Sequence, residues 1–233
     1  MITDQITYRG YRYAPEIISQ AVWAYHRFCL SFRDVEDLLA ERGIVVSYET
    51  IRQWCRKFGP PYARAVRRGQ GALGDTWFLD KVFVTIQGRR QYLWRAVDQD
   101  GDTLDILVQK RRDRQAAERF FRKLLKGQCT VARSLVTDKL RSYSAARRTT
   151  MASVVHVTKR YANNRAEVSH EPTRQREYQM RRFKSPGQAQ RFLAVHAAVG
   201  NLFRLGRHLT RATHYRMFRA RAFAQWQELT YAC

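Results

Sequence analysis

The hydrophobic period of this chain changes once, at a stretch rich in Gly and Pro, and that change constrains the fold more than any single motif. Before Phe58-Gly-Pro-Pro-Tyr62 and Arg68-Gly-Gln-Gly-Ala-Leu-Gly74 the apolar residues recur every three to four positions; afterwards they alternate. A Gly/Pro break between two well-patterned regions reads as a hinge, so two domains of different class are expected. The expected boundaries are 1–58 for an all-α domain, 59–75 for a linker, 76–185 for an α/β domain and 186–233 for a C-terminal helical region.

In the first part, Pro15 suits the first turn of a helix running to about Phe28, with Ile18, Ala21, Val22, Tyr25 and Cys29 on one face. Ser31 and Asp34 form the pattern of a capping box for a second helix, which Gly43 stops. Ser47 can cap a third helix with Ile51, Trp54, Cys55 and Phe58 inward and Glu49, Arg52, Gln53, Arg56 and Lys57 outward. This is a helix-turn-helix pattern, and an outer face bearing Arg and Gln suits a major groove, where Arg pairs with guanine and Gln with adenine. A plain three-helix bundle would show the same spacing.

Charge points the same way. The chain carries 43 Lys plus Arg against 20 Asp plus Glu, a net charge of +23, and 35 of the basic residues are Arg spread along its length. The Arg fork binds phosphate bidentately, so a polyanion, nucleic acid above all, is the expected partner. A membrane surface fits less well, because the charges are not gathered on one amphipathic helix. No run approaches the roughly 18 apolar residues of a membrane span, and the N-terminus lacks the order of a signal peptide, so a cytosolic protein is expected. Cys29, Cys55, Cys129 and Cys233 share no metal-ligand spacing and are expected to be reduced thiols.

In the second part, strands are expected at Trp77–Ile86, Arg89–Val97 and Thr103–Val108, joined by turns at Gln87-Gly88 and Asp98–Gly101. A helix at Asp113–Leu125, a strand at Ser134–Thr137, a helix at Leu140–Arg148, a strand at Val154–Val157 and a long helical region from about Asn163 follow. Asp80 shares a strand face with Phe78, Val82, Val84 and Ile86, a costly position unless a cation compensates it. Asp138 stands at a strand end, where side chains commonly project into clefts, although it could simply cap the next helix. Glu167 is followed by His170, Glu171, Arg174 and Tyr178 at helical spacing, and Pro172 requires a kink or restart just after it. A strand Asp, a strand-end Asp and a helical Glu supply three hard oxygen ligands, enough for two divalent ions about 3.5 to 4 Å apart in phosphodiester displacement.

The segments Gly74-Asp-Thr-Trp77 through Asp80, Gly88 to Asp98, Val136-Thr-Asp-Lys-Leu-Arg-Ser-Tyr143 and Asn163-Asn-Arg-Ala-Glu-Val-Ser-His-Glu-Pro-Thr-Arg174 resemble the DDE transposases of bacterial insertion sequences, specifically the insertion sequence six family. Arg181 to Ser185, Arg207-His-Leu209, Tyr215-Arg216, Phe223 and Trp226 are similar as well, so the resemblance covers nearly the whole chain. It implies an N-terminal helix-turn-helix domain for the terminal inverted repeats and an α/β, RNase H-like catalytic core, a mixed sheet flanked by helices. It also implies a catalytic, metal-binding triad of Asp80, Asp138 and Glu167 holding Mg2+, two ions, with Mn2+ able to substitute. Arg174, seven residues after the glutamate, matches a basic position near the scissile DNA, and Lys139 beside Asp138 is expected among the DNA contacts. The implied partners are double-stranded DNA, both terminal inverted repeats and target, and further copies of the chain, as a homodimer or higher homo-oligomer in the synaptic complex. No membrane is implied, and the place of action is the cytoplasm, at the nucleoid when DNA is bound.

Two positions depart from the family pattern. Lys81 stands where Glu is expected after the first aspartate, and strand alternation points it away from Asp80, so it is expected to leave the metals undisturbed. The 28 residues between Asp138 and Glu167 are few, the shortening falling between Arg147 and Val154. The leading reading is a DDE transposase that cuts DNA and transfers strands with metal. The alternative is a catalytically inactive, sequence-specific DNA-binding protein derived from one, and an RNA-binding factor is a weaker third.

Overall fold

A computed structural model describes residues 6–71, 74–159, 162–206 and 208–231; Arg207 and Cys233, singled out above, lie outside the described residues. The chain divides into two compact units, one formed by Met1–Gly71 with Ala194–Cys233 and the other by Ala72–Leu193.

The first unit begins with α1 (Pro15–Arg27), which has Pro at its start and buries Ile18, Val22 and Tyr25. The Ser31 side chain and the Asp34 carboxylate form the expected reciprocal cap of α2 (Phe32–Ala40), with Asp34 N to Ser31 Oγ 3.1 Å and Ser31 N to Asp34 Oδ2 2.7 Å. Gly43 then takes φ 74°, which releases the chain toward α3 (Tyr48–Gly69), capped by Ser47 through Thr50 N at 3.3 Å.

Here the structure corrects the expected linker at 59–75: α3 runs through Pro60 and Pro61 to Gly69. Two prolines remove two helical N–H donors and cost several kcal/mol in an isolated helix. They are tolerated because the apolar face continues across them, with Phe58, Tyr62, Ala63 and Val66 buried on either side. Gly59 also admits close packing, since a Cβ there would lie 3.2 Å from Val195 Cγ2.

In the second unit β1 (Thr76–Ile86), β2 (Arg89–Val97) and β3 (Thr103–Gln109) form an antiparallel meander. Gln87 and Gly88 both have positive φ, the geometry of a tight two-residue hairpin turn. After α4 (Arg114–Gln128), β4 (Ser134–Thr137) pairs parallel to β1, and after α5 (Arg141–Thr150), β5 (Val155–Val157) pairs parallel to β4. The order is β3-β2-β1-β4-β5, the mixed sheet flanked by helices that the sequence leads one to expect. Trp77, Leu79 and Trp94 point to the face covered by α4 and α5, where they pack with Phe120, Phe121, Leu124 and Tyr143.

The long helical region expected from Asn163 is broken, as Pro172 demands: α6 (Asn164–Val168) ends at Ser169-His170 and α7 (Glu171–Gln179) restarts. α8 (Pro186–Leu202) follows, and its Gln190 amide bonds Val108 N at 2.8 Å and Ile106 O at 3.0 Å along β3. That amide occupies ladder groups a sheet edge would otherwise leave open. The residues from Ala194 onward belong to the helical unit, so the expected separate region at 186–233 is divided between the two units. There α9 (Ala212–Tyr231) packs Trp226 edge-on against Tyr62 with ring centres 5.4 Å apart. Among the described residues no helix is long and apolar enough to cross a membrane.

Candidate active site

Asp80 lies in the middle of the sheet, on central strand β1 directly opposite Arg95 of β2. Cross-strand partners share a face, so Asp80 and Arg95 both point away from Leu79 and Trp94 and toward α6 and α7. Arg95 is spent on that layer: its guanidinium donates to Ser169 O and to Thr173 Oγ1. His170, 1% exposed, also faces Asp80, its Nε2 3.4 Å from Asp80 Oδ2 without hydrogen-bond alignment. Burial drives the His170 pKa below its ordinary value, which keeps the ring neutral. His170 was expected beside Glu167 on one helical stripe; the break between α6 and α7 turns it inward instead.

The second aspartate ends β4, because Thr137 is the last residue of the ladder. Asp138 Oδ1 accepts from Leu140 N at 3.0 Å, ordering the turn into α5. Its Oδ2 accepts from Lys81 Nζ. This corrects the expectation that Lys81 would leave the carboxylates alone. Lys81 does leave β1 on the face opposite Asp80, but its four-carbon stem carries Nζ over the Tyr143 ring, 5.6 Å from the ring centre, and to the end of the neighbouring strand. Burial first, then the negative charges of Asp80 and Asp138, hold the Tyr143 phenol well above its ordinary pKa, so one hydroxyl senses both aspartates.

Glu167 is the third carboxylate, exposed on α6. What places it is Asn163, a residue that sequence reading left without a role. Its Nδ2 donates to Leu79 O at 2.8 Å, one residue before Asp80, and its own carbonyl accepts from Ala166 N and Glu167 N at 3.0 and 3.3 Å. The buried Asn163 thereby fixes the start of α6 against β1.

The donor set suits a hard divalent cation, since all three candidate ligands are carboxylates. The arrangement is not closed around one: among the described residues no group of three or more His, Cys, Asp or Glu is gathered in metal-binding proximity. Cys29, Cys55 and Cys129 form no disulfide among the described residues, and they make no such group.

The expected DNA contacts form two sets. Lys139 and Arg174 are exposed, beside Asp138 and on α7 respectively. Glu167 and Arg174 lie on separate helices, α6 and α7, and both side chains are exposed. On α3, Arg52, Gln53, Arg56 and Lys57 are exposed as expected. Arg52 is already engaged: its Nε and Nη2 donate to Glu49 at 2.8 and 2.6 Å, and Gln53 Nε2 donates to the same carboxylate at 3.4 Å. Those bonds pull the Glu49 carboxyl down to about 2. Lys57 stands over the Tyr11 ring, 4.3 Å from its centre.

A family model described as a DDE domain matches residues 74–205. The transposase for insertion sequence-like element IS431mec of Staphylococcus aureus is 31% identical over 172 residues, spanning 70% of this chain and 75% of its own length. The transposase for insertion sequence element IS257 in transposon Tn4003, from the same species, is also 31% identical over 172 residues. Among solved structures, the HTLV-2 integrase catalytic core domain in complex with magnesium (trimeric form) aligns with TM-score 0.43 and 14% identity over 62% of this chain and 95% of that one.

Proposed function

We infer the chemistry of this chain from one premise: it belongs to the DDE transposases of bacterial insertion sequences, in the insertion sequence six family, and is a metal-dependent enzyme that cuts DNA and transfers strands. We propose that Asp80, Asp138 and Glu167 are its three catalytic carboxylates. The observation that carries this assignment is the anchoring of α6 on Leu79 by Asn163. That bond ties the helix of Glu167 to the strand of Asp80, while β4, paired to the same strand, ends at Thr137, one residue before Asp138.

The roles follow from how each carboxylate is mounted. Asp80 is buried on a five-stranded sheet and is the least able to move. Asp138 sits at a strand end and Glu167 on a helix of five residues, so these two can adjust around a ligand held by the first. Divalent ions bound by such carboxylates, two Mg2+ in this proposal, activate an attacking oxygen and stabilise a leaving one. Exposed Lys139 and Arg174 neutralise phosphates of the DNA at the site.

In the helical unit, α2 and α3 act as the helix-turn-helix for the terminal inverted repeats, with Arg52, Gln53, Arg56 and Lys57 on the groove-facing side. Because Glu49 holds Arg52 in a bidentate pair, the Arg52 fork is oriented before DNA arrives. The active assembly is proposed to be a homodimer or larger, since two ends must be joined to one target.

The test is strand transfer by purified protein on labelled inverted-repeat DNA with and without magnesium. Magnesium-dependent joined product supports the proposal; end binding without joining at any magnesium concentration would reduce the chain to a DNA-binding protein.

A further inference from the structure

We propose that Lys81 is a tethered counter-ion for Asp138 that a divalent cation must displace, so that the second carboxylate stays occupied until metal enters. The inference rests on Asp138 being a metal ligand. It adds a positioning residue that acts through Asp138.

Both oxygens of Asp138 are engaged, Oδ1 by Leu140 N and Oδ2 by the Lys81 ammonium. The Lys81 side chain is only 11% exposed, against 35% for Asp138. A charge so far removed from water needs a partner, and Asp138 is the acceptor it has. A monovalent cation therefore neutralises the carboxylate from the interior while its outer side remains open to solvent. An arriving divalent ion meets a carboxylate whose charge is already balanced and a second positive charge a few ångströms behind it, and both lower its affinity.

The pair can open without stranding the lysine. Its Nζ already stands over the Tyr143 ring, 5.6 Å from the ring centre, so the ring face goes on holding the ammonium when Asp138 turns away. The Tyr143 hydroxyl is buried without a hydrogen-bond partner, and its neighbours include both aspartate charges. Lys81, Asp138 and Tyr143 thus form a small group with two arrangements: the ammonium shared by carboxylate and ring, as in the structure, or held by the ring alone with the carboxylate free to bind metal.

The experiment is a titration of the full chain with Mn2+ in the absence of DNA, reading the free ion by electron paramagnetic resonance. Lys81→Met keeps an unbranched apolar side chain and removes the charge; it is expected to bind Mn2+ about five- to tenfold more tightly than the parent chain. Lys81→Arg retains the charge and is expected to match the parent. Asp138→Asn should bind more weakly, and adding Lys81→Met to it should gain less than the same substitution gains in the parent chain, because only the repulsion of the ammonium is then relieved. Unchanged or weaker Mn2+ affinity in Lys81→Met overturns the proposal. Parent-like affinity in Asp138→Asn overturns instead the reading of Asp138 as a ligand. Circular dichroism checks each fold, and Lys81→Gln carries the same comparison if the methionine variant does not fold.

Discussion

The Asn163 side chain donates to the Leu79 carbonyl at 2.8 Å, joining the start of α6 to the residue before Asp80. Sheet and helix are otherwise distant in sequence, and this bond is buried, so removing it leaves a carbonyl without that partner and frees the helix end. Asn163→Ala is expected to cost about 1–3 kcal/mol in urea unfolding. Strand transfer should fall much more than inverted-repeat binding, because the variant loosens Glu167 and leaves α3 untouched. Wild-type transfer in a variant of reduced stability would show that α6 needs no such anchor.

Asp138→Asn should abolish nicking and joining while folding and end binding persist. Asparagine retains an oxygen for Leu140 N but leaves the Lys81 ammonium without its counter-ion, so a purely structural aspartate predicts a loss of stability and of end binding in step with the loss of joining. Asp80→Asn and Glu167→Gln should behave alike, and double variants should lose nothing further, because the carboxylates act as one unit. Substantial magnesium-dependent joining by any of the three reassigns that position.

Much of this layout is legible in the sequence because it is written in local patterns. The caps at Ser31 and Ser47, the Gln87-Gly88 turn and all five strands follow from short-range chemistry, and each lies within a residue or so of its expected place. The expected linker failed for a tertiary reason: Pro60 and Pro61 signal a break locally, yet the burial of Phe58 and Tyr62 carries the helix past them. The Lys81 contact was illegible for a related reason. Alternation says which face a Cβ leaves from, but a four-carbon stem on an inner strand can reach around to the end of its neighbour. Asn163 stood in a recognised segment, but nothing in its spacing reveals a bond to a backbone carbonyl 84 positions away.

On α3, Glu49 and Arg52 test what the helix reads. Arg52→Ala or Gln53→Ala should weaken binding to the cognate end by about 1–3 kcal/mol and to random duplex far less, if they contact bases. Glu49→Ala should do the opposite to the background: it releases the Arg52 fork and removes a negative charge, so random-duplex binding should strengthen and discrimination should fall. Binding to both DNAs measured by fluorescence anisotropy at fixed salt separates the cases. Equal losses on both DNAs for Arg52→Ala would make it a phosphate contact.

The helical unit should fail in alkali for an identifiable reason. The hydroxyls of Tyr8 and Tyr62 are 2.6 Å apart, and Tyr8 also donates to Thr230 O, so a two-phenol relay ties α3 to α9. Burial first, then the bond to Tyr8, pushes the Tyr62 phenol far above its ordinary value near 10. Above pH 10 the unfolded chain therefore loses the Tyr62 proton while the folded chain keeps it, the unfolded state binds fewer protons, and stability falls as pH rises. Below pH 10 both states are protonated and the slope vanishes. Tyr62→Phe removes the titrating group and one neutral hydrogen bond, so it should cost about 0.5–1.5 kcal/mol at pH 8 yet lose less than the parent between pH 8 and pH 10.5. Urea unfolding followed by tryptophan fluorescence, with Trp54 and Trp226 buried in this unit, reads both quantities. Parallel losses in the two proteins over that interval would mean that Tyr62 is not the group responsible.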